Sequence, residues 1–430
     1  MKALLLKSIS GKLINSIIGL LIISLLPILV GSEEYGKYIV IWGMVVLIGQ
    51  LSALGLPIMY VRMGVDYLTL KSTKMVLRSN YFSLLNLLIS LPIFFVVVFL
   101  FSDNLNLYMH DYLLIFTSAG ILFVFRLVNG YNRGCGEVLY SQIIDVALRG
   151  LILIAVSLFI YYGLISEFNE RWQSPLIFIS LCLSIFLATL VAKENGFKFL
   201  FDHSNFSKNW RSQYTRSVMI FSGSDIRKVE EQLMYVFVGA NIGFTEVAIL
   251  VIAARINDIV LFFVSSANYA FIPKIRLFYK QKNTDFNKAI VFFFLVTVGS
   301  LLLFMPVYYN LDDIVLWHYG QGYESIALYT LIYLISIFFS SLIGPAQNIA
   351  TIVDLEKIVF KVNIILTPLT VLGMYFSSIN LGVMYVLFSL LLGRFIGQFW
   401  VAMYLFKKER VNLFPISNAL YLFRKYKTKL

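Results

Sequence analysis

Apolar runs of about 20 residues recur along the whole chain, and each is long enough as a helix to cross the ~30 Å hydrocarbon core of a bilayer. No other sequence feature restricts the fold as much. A backbone inside lipid has to satisfy its own hydrogen bonds, so runs of this length dictate a bundle of membrane helices. Composition agrees: 59% of the 430 residues are hydrophobic, only 13% are charged, and mean hydropathy is +0.82, which excludes a soluble domain. The expected fold is therefore an all-α polytopic membrane protein of about twelve transmembrane helices, near 11–30, 38–60, 81–102, 112–130, 140–164, 174–192, 217–239, 247–272, 289–308, 325–350, 358–378 and 382–406. The opening stretch, MKALLLKSISGKLINSIIGLLIISLLPILV, has the basic start of a secretory signal but no small-residue cleavage site, and it reads as a retained first helix.

Lys and Arg near span ends stay on the cytoplasmic side, and here they are strongly sorted. Even-numbered connections and both termini hold or adjoin the basic clusters Lys71 to Arg78, Lys193 to Arg216, Lys274 to Lys288 and Lys407 to Lys429, whereas the odd-numbered connections hold only Lys37 and Arg171. The expectation is that both termini and the polar connection 193–216 face the cytoplasm. Cysteines introduced at Asn205 and Asn310 should then label from opposite sides of the membrane; labelling of both from the external side would overturn this orientation. The same connection divides the spans into an N-terminal six-helix lobe, 1–192, and a C-terminal six-helix lobe, 217–406, followed by a basic tail, 407–430. Two equal lobes are a frequent transporter plan.

The net charge of +12 is spread over short loops that carry no nucleic-acid recognition motif, so topology and contact with anionic membrane lipids account for it better than nucleic acid does. Cys135 and Cys182 fit neither a disulfide framework nor a metal site, and His110, His203 and His318 are scattered without a partner pattern. No cofactor is expected. The glycine-rich GYNRGCGE near residues 130–137 follows a membrane helix rather than a strand, which argues against a phosphate-cradling loop.

The spans themselves contain charges, most densely in SGSDIRKVEEQLMYVFVG, where Asp225, Arg227, Lys228, Glu230 and Glu231 follow one another. Five charges at mid-membrane would cost about 12 to 18 kcal/mol, against about 3 to 5 returned by the Leu, Ile, Val and Phe of the same segment. Such a helix cannot face lipid on every side. Asp225 with Lys228 and Arg227 with Glu231 have the spacing of local ion pairs, as do Asp145 with Arg149 and Arg255 with Asp258. These pairs admit two readings, mutual neutralisation or the lining of a polar interior. Arg394 stands apart: it lies about twelve residues, or half the helix, from either end of its span and has no acidic residue in that helix. It must face an acid of another helix or a watery cavity. Guanidinium groups bind phosphate in a bidentate fork, so Arg394, Arg149, Arg255 and Arg227, with Lys228, are candidate cargo-binding cations. Asp225, Glu230, Glu231, Asp145 and Asp258 are the candidate carboxylates for coupling to H+ or Na+.

Several stretches, in order, resemble the polysaccharide transport family of lipid-linked oligosaccharide flippases, which includes the Wzx-type O-antigen flippases and is related to MATE exporters. GSEEYGKYIVIWGMVVLIGQLSALGLPIMYVR is similar to the family's Glu-Tyr-Gly turn (Glu34, Tyr35, Gly36) and Gly-Leu-Pro exit (Gly55, Leu56, Pro57). VGANIGFTEVAILVIAARINDIVLFFVSSANYAFIPKI resembles the matching part of the second lobe, ending at Phe271 and Pro273, and YGQGYESIALYTLIYLIS resembles the Gly-x-x-Tyr start of the tenth span. Tyr319 and Thr245 depart from the usual pattern. The resemblance implies a MATE-like, two-lobed alternating-access transporter of the bacterial inner membrane. Its cargo would be an undecaprenyl-pyrophosphate-linked oligosaccharide, an O-antigen or related polysaccharide repeat unit, carried to the periplasmic leaflet. Implied partners are membrane lipids and the polysaccharide polymerase and chain-length regulator that act after it. Two rivals remain: a MATE-like exporter of small molecules, which would rely on exposed acids, and an oligosaccharide polymerase, which would need a large external loop that this chain lacks.

Overall fold

A computed structural model describes residues 2–57, 60–61, 109–144, 148–162, 172–194, 215, 217–219, 221–223, 225–281, 284–353, 355–409 and 411–427. Among these, helices and the turns between them are the only elements. In chain order they are α1 Lys2–Val30, α2 Ser32–Ala53, α3 Met109–Gly134, α4 Val138–Gln142, α5 Leu148–Tyr161, α6 Gln173–Glu194, α7 Ile226–Asn241 and α8 Phe244–Gln281. There follow α9 Thr284–Tyr309, α10 Leu311–Tyr319, α11 Ser325–Ser341, α12 Ala346–Ile352, α13 Glu356–Asn380, α14 Val383–Lys408 and α15 Pro415–Lys427. Eight described helices are long and apolar enough to cross a membrane, and the chain is a multi-pass membrane protein. The expected third span, 81–102, and nearly all of the connection 193–216 lie outside the described residues.

The structure changes three expected elements. The span placed at 247–272 continues as helix to Gln281, because falling hydropathy marks where a helix leaves lipid, not where its hydrogen bonding stops. The span placed at 325–350 is broken into α11 and α12 by a turn through Leu342–Pro345. Gly344 there has φ +75°, and the Leu413 carbonyl lies 2.8 Å from where a Cβ would stand. A Gly-Pro pair is a helix-stopping signal that the hydropathy of the run conceals. In the span placed at 217–239, residues 217–219 and 221–223 are helical, a turn follows at Asp225, and α7 begins at Ile226, with the Asp225 carbonyl accepting the N–H groups of Lys228 at 3.0 Å and Val229 at 3.2 Å.

The described chain forms two compact units, the first made of Met1–Phe221 and Glu231–Ala248, the second of Ser222–Glu230 and Ile249–Leu430. The first turn of α7 thus belongs to the second unit and its remainder to the first. In the first unit α2 packs against α3 and α3 against α6. Lipid offers no hydrophobic force between helices, so their association rests on close van der Waals approach, which small residues permit. The sequence patterns of this lobe do that work. At Gly36 the Phe244 carbonyl oxygen stands 1.8 Å from a would-be Cβ, a place no side chain can share. Past Ala53 the chain turns through Leu54 (φ 40°) and Gly55 (φ 76°), and the Ser217 hydroxyl donates to the Leu54 carbonyl at 2.7 Å.

In the second unit α13 packs against α14, and α9 against α11 and α15. Its core joins Phe286, Ile290, Phe293, Ala346, Ile349, Ala350, Val359, Ala402, Leu405 and Leu413. Alanines at this contact let α12 and α14 approach closely. The turn that opens α11 is set by Gly320 (φ 82°) and Gly322 (φ 98°), and the Gly322 N–H donates to Glu324 Oε1 at 3.1 Å. That donor and the backbone N–H of Glu324 itself hold the exposed carboxyl below its ordinary value.

Candidate functional site

Past the break between α11 and α12, the short helix α12 presents Gln347 to a cluster of polar side chains in the second unit. Arg227, in the first turn of α7, donates from Nη2 to Gln347 Oε1 of α12. Gln347 Nε2 reaches Asn363 Oδ1 of α13 at 3.4 Å, and Asn363 Nδ2 donates to the Ser222 carbonyl. One turn further along α13, the Thr367 hydroxyl donates to Glu230 Oε1 at 2.7 Å. Arg394, from the middle of α14, donates from Nη2 to the Arg227 carbonyl at 2.8 Å and places Nε 3.9 Å from Glu230 Oε2. The Glu230 side chain is 8% exposed and that of Arg394 is 23% exposed.

Local sequence explains why these groups meet. Asn363 and Thr367 are four residues apart and share a face of α13. Gly393 and Gly397 share a face of α14, where a Cβ would stand 2.0 Å from Thr370 Oγ1 and 3.0 Å from Gln347 Nε2 respectively. Removing Cβ at these two positions brings α12 and α13 against α14, and Arg394 between them is carried inward. Early-turn carbonyls of a helix are engaged by its own ladder, so the bond to Arg227 O supplies a further donor to an oxygen with a second lone pair.

The other charges singled out in the sequence distribute differently. Lys228 lies 4.0 Å from Asp225, so the expected i,i+3 pair forms at the start of α7. The pairing of Arg227 with Glu231 is replaced: Arg227 turns to Gln347, while Glu231 belongs to the first unit and accepts the Tyr235 hydroxyl at 3.1 Å. Residues 230 and 231 point about 100° apart around a helix, so adjacent carboxylates serve different surroundings. Arg255 and Asp258 form a pair at 2.9 Å in which both side chains are more than half exposed. Arg149 sits in the first unit with its guanidinium 4.3 Å from the centre of the Trp42 ring, a cation–π contact. Asp145 lies outside the described residues. Among the described residues no group of three or more His, Cys, Asp or Glu gathers as a metal site.

Gln347, Asn363 and Thr367 escaped a reading built on formal charge. Their signal was available: each is a neutral polar residue inside an apolar span, and such residues also need a partner where water is absent.

Chemically, the cluster offers one buried carboxylate that accepts a hydroxyl and feels two guanidinium groups, Arg394 and Arg227. Two guanidinium groups around one carboxylate leave a positive charge over.

No family profile and no curated protein matches the sequence. Solved structures do match. An inward-facing multidrug resistance MATE family transporter of the MOP superfamily superposes with TM-score 0.62 at 14% identity, covering 92% of this chain and 93% of that one. A MOP superfamily transporter from Pyrococcus furiosus, described by the reverse polarity of its binding pocket, superposes with TM-score 0.57 at 14% identity over 93% of each chain. The MATE multidrug transporter DinF-BH gives TM-score 0.56 at 15% identity over 96% of each chain. With no strands among its described residues and a superposition that covers 92% of its length, this chain has the fold of the MATE transporters of the MOP superfamily.

Proposed function

We propose that the protein is an alternating-access flippase that carries undecaprenyl-pyrophosphate-linked O-antigen, or related polysaccharide repeat units, from the cytoplasmic to the periplasmic leaflet of a bacterial inner membrane. Coupling is to H+ or Na+. The observation that carries this reading is the excess positive charge of the Arg227, Glu230 and Arg394 cluster on α7 and α14, joined through Gln347 to the broken helix of a transporter fold. Half-helices inside membranes are where transporters place their polar groups, and guanidinium is suited to pyrophosphate. The sugar moves through a polar path while the lipid tail stays in the bilayer. A cationic cluster also favours this cargo over small cations, the cargo of the rival MATE-like exporter.

The deciding experiment reconstitutes the purified protein alone in vesicles and follows a lipid-linked oligosaccharide from one leaflet to the other. Accelerated transfer supports the reading; export of small cations without any transfer of the lipid-linked oligosaccharide replaces it with the rival.

Within this reading Glu230 is the coupling carboxylate, because it is buried beside a hydroxyl and two guanidinium groups. Glu230→Gln should lower ion-driven transport by about tenfold or more while leaving insertion intact. Asp225→Asn and Glu231→Gln, whose partners are Lys228 and Tyr235, should change it by less. Unchanged coupling in Glu230→Gln would leave Glu230 with a structural role only.

A further inference from the structure

The chain beyond the last span folds into α15, and what holds it there differs from what it displays. The connecting residues 411–414 are pinned into the second unit: Val411 and Leu413 belong to its core, and the Leu413 carbonyl fills the space beside Gly344. Asn412 Oδ1 accepts the Phe414 N–H at 3.0 Å, its Nδ2 donates to Ser417 Oγ at 2.9 Å, and its carbonyl accepts Asn418 Nδ2 at 2.9 Å. Asn418 is buried, and α15 lies along α9. The helix is therefore set at a defined angle to its neighbours and does not trail as a loose tail.

On the face turned away from Asn418 runs an exposed apolar stripe. Ile416, Leu420 and Phe423 follow at i, i+4 and i+7, and each is more than half exposed, Phe423 to 69%. A solvated helix would not keep three large apolar side chains in line. Basic residues flank the stripe in the sequence: Lys407 and Lys408 are exposed in the last turn of α14, and Arg424, Lys425 and Lys427 follow Phe423 in the chain. An apolar face beside a cationic rim is the pattern of a helix lying in the plane of a membrane surface. α14 has the length and apolar composition of a span and ends in Lys407 and Lys408, the residue type that marks a span end at headgroup depth.

We infer that α15 is a membrane-surface helix whose apolar stripe inserts among acyl chains and whose cations, with Lys407 and Lys408, hold anionic glycerophospholipid headgroups of the leaflet at that end of α14. Because 411–414 pack into the core around Ile290, Ala346 and Ile349, lipid bound at α15 acts directly on the part of the second unit that carries the broken helix α12. The inference does not depend on the cargo.

The test uses the full chain in proteoliposomes, with Cys135→Ser and Cys182→Ser removing the native thiols and a bimane label attached through Phe423→Cys. Quenching is read with brominated phosphatidylglycerol, brominated phosphatidylcholine and aqueous iodide. The expected result is strong quenching by brominated acyl chains, weak quenching by iodide, and about a tenfold preference for phosphatidylglycerol. High salt should remove that preference, as should the combined Lys407→Gln, Lys408→Gln, Arg424→Gln, Lys425→Gln and Lys427→Gln variant. Strong iodide quenching would put the stripe in water, quenching by neither agent would mean that another protein chain covers it, and equal quenching by both lipids would remove the anionic partner; each of the three overturns the proposal.

Discussion

Arg394→Ala is expected to cost about 2 to 4 kcal/mol of stability, and adding Glu230→Gln to the same chain should restore most of it. The single substitution removes the donor to the Arg227 carbonyl and the cation 3.9 Å from Glu230, leaving a carboxylate that is 8% exposed with the Thr367 hydroxyl as its close donor. Arg227 still acts on Glu230, so the cost is that of a buried carboxylate left with less compensation, which outweighs the lost attraction itself. Neutralising Glu230 removes that penalty, so the double variant should fold even though it has lost more groups. The partial exposure of Arg394 keeps the cost toward the lower part of the range for buried pairs. Arg394→Lys should fall between, keeping charge while losing the fork that reaches two oxygens. Unfolding of the purified variants in detergent measures all three. An alanine variant as stable as the parent, or a double variant less stable than the single, would show that the contact does not hold the cluster together.

Gly36→Ala should be at least as damaging, at about 3 kcal/mol or more, with little folded protein recovered from membranes. The obstruction is the Phe244 backbone, with its carbonyl oxygen 1.8 Å and its carbonyl carbon 2.5 Å from the new Cβ. No rotamer change relieves a clash between two backbones, so α2 and the start of α8 would have to separate, opening the first unit along that contact. Gly19→Ala and Gly299→Ala are the controls, since nothing stands within 4 Å of a Cβ at either helical position. They should change stability by about 0.5 kcal/mol or less. If Gly36→Ala behaved like these controls, the close approach of the two helices would not be a feature of the folded protein.

Much of the architecture could be read from local pattern. The long apolar runs produce helices because a lipid environment leaves the backbone no other hydrogen-bond partners, and this holds whatever the helices later touch. The charged start of the seventh span was legible for the same reason, since charges in such a run are costly enough to signal a polar surrounding. The break after Ser341 was legible in principle, through Gly344 and Pro345, but hydropathy averaging hides a turn that keeps an apolar composition.

Partners were a different matter. The sequence determined that Arg394 needed a partner or water, because its own helix holds no acid. Only the tertiary structure decided that Glu230, far away along the chain, supplies one while adjacent Glu231 turns to Tyr235, and that Gln347 takes Arg227. The physical reason is range. Span formation depends on burial over one helix length and is written in contiguous residues. Pairing depends on which faces of distant helices meet, and that is set by steric details such as the missing Cβ atoms of Gly393 and Gly397, whose effect exists only once the helices are packed.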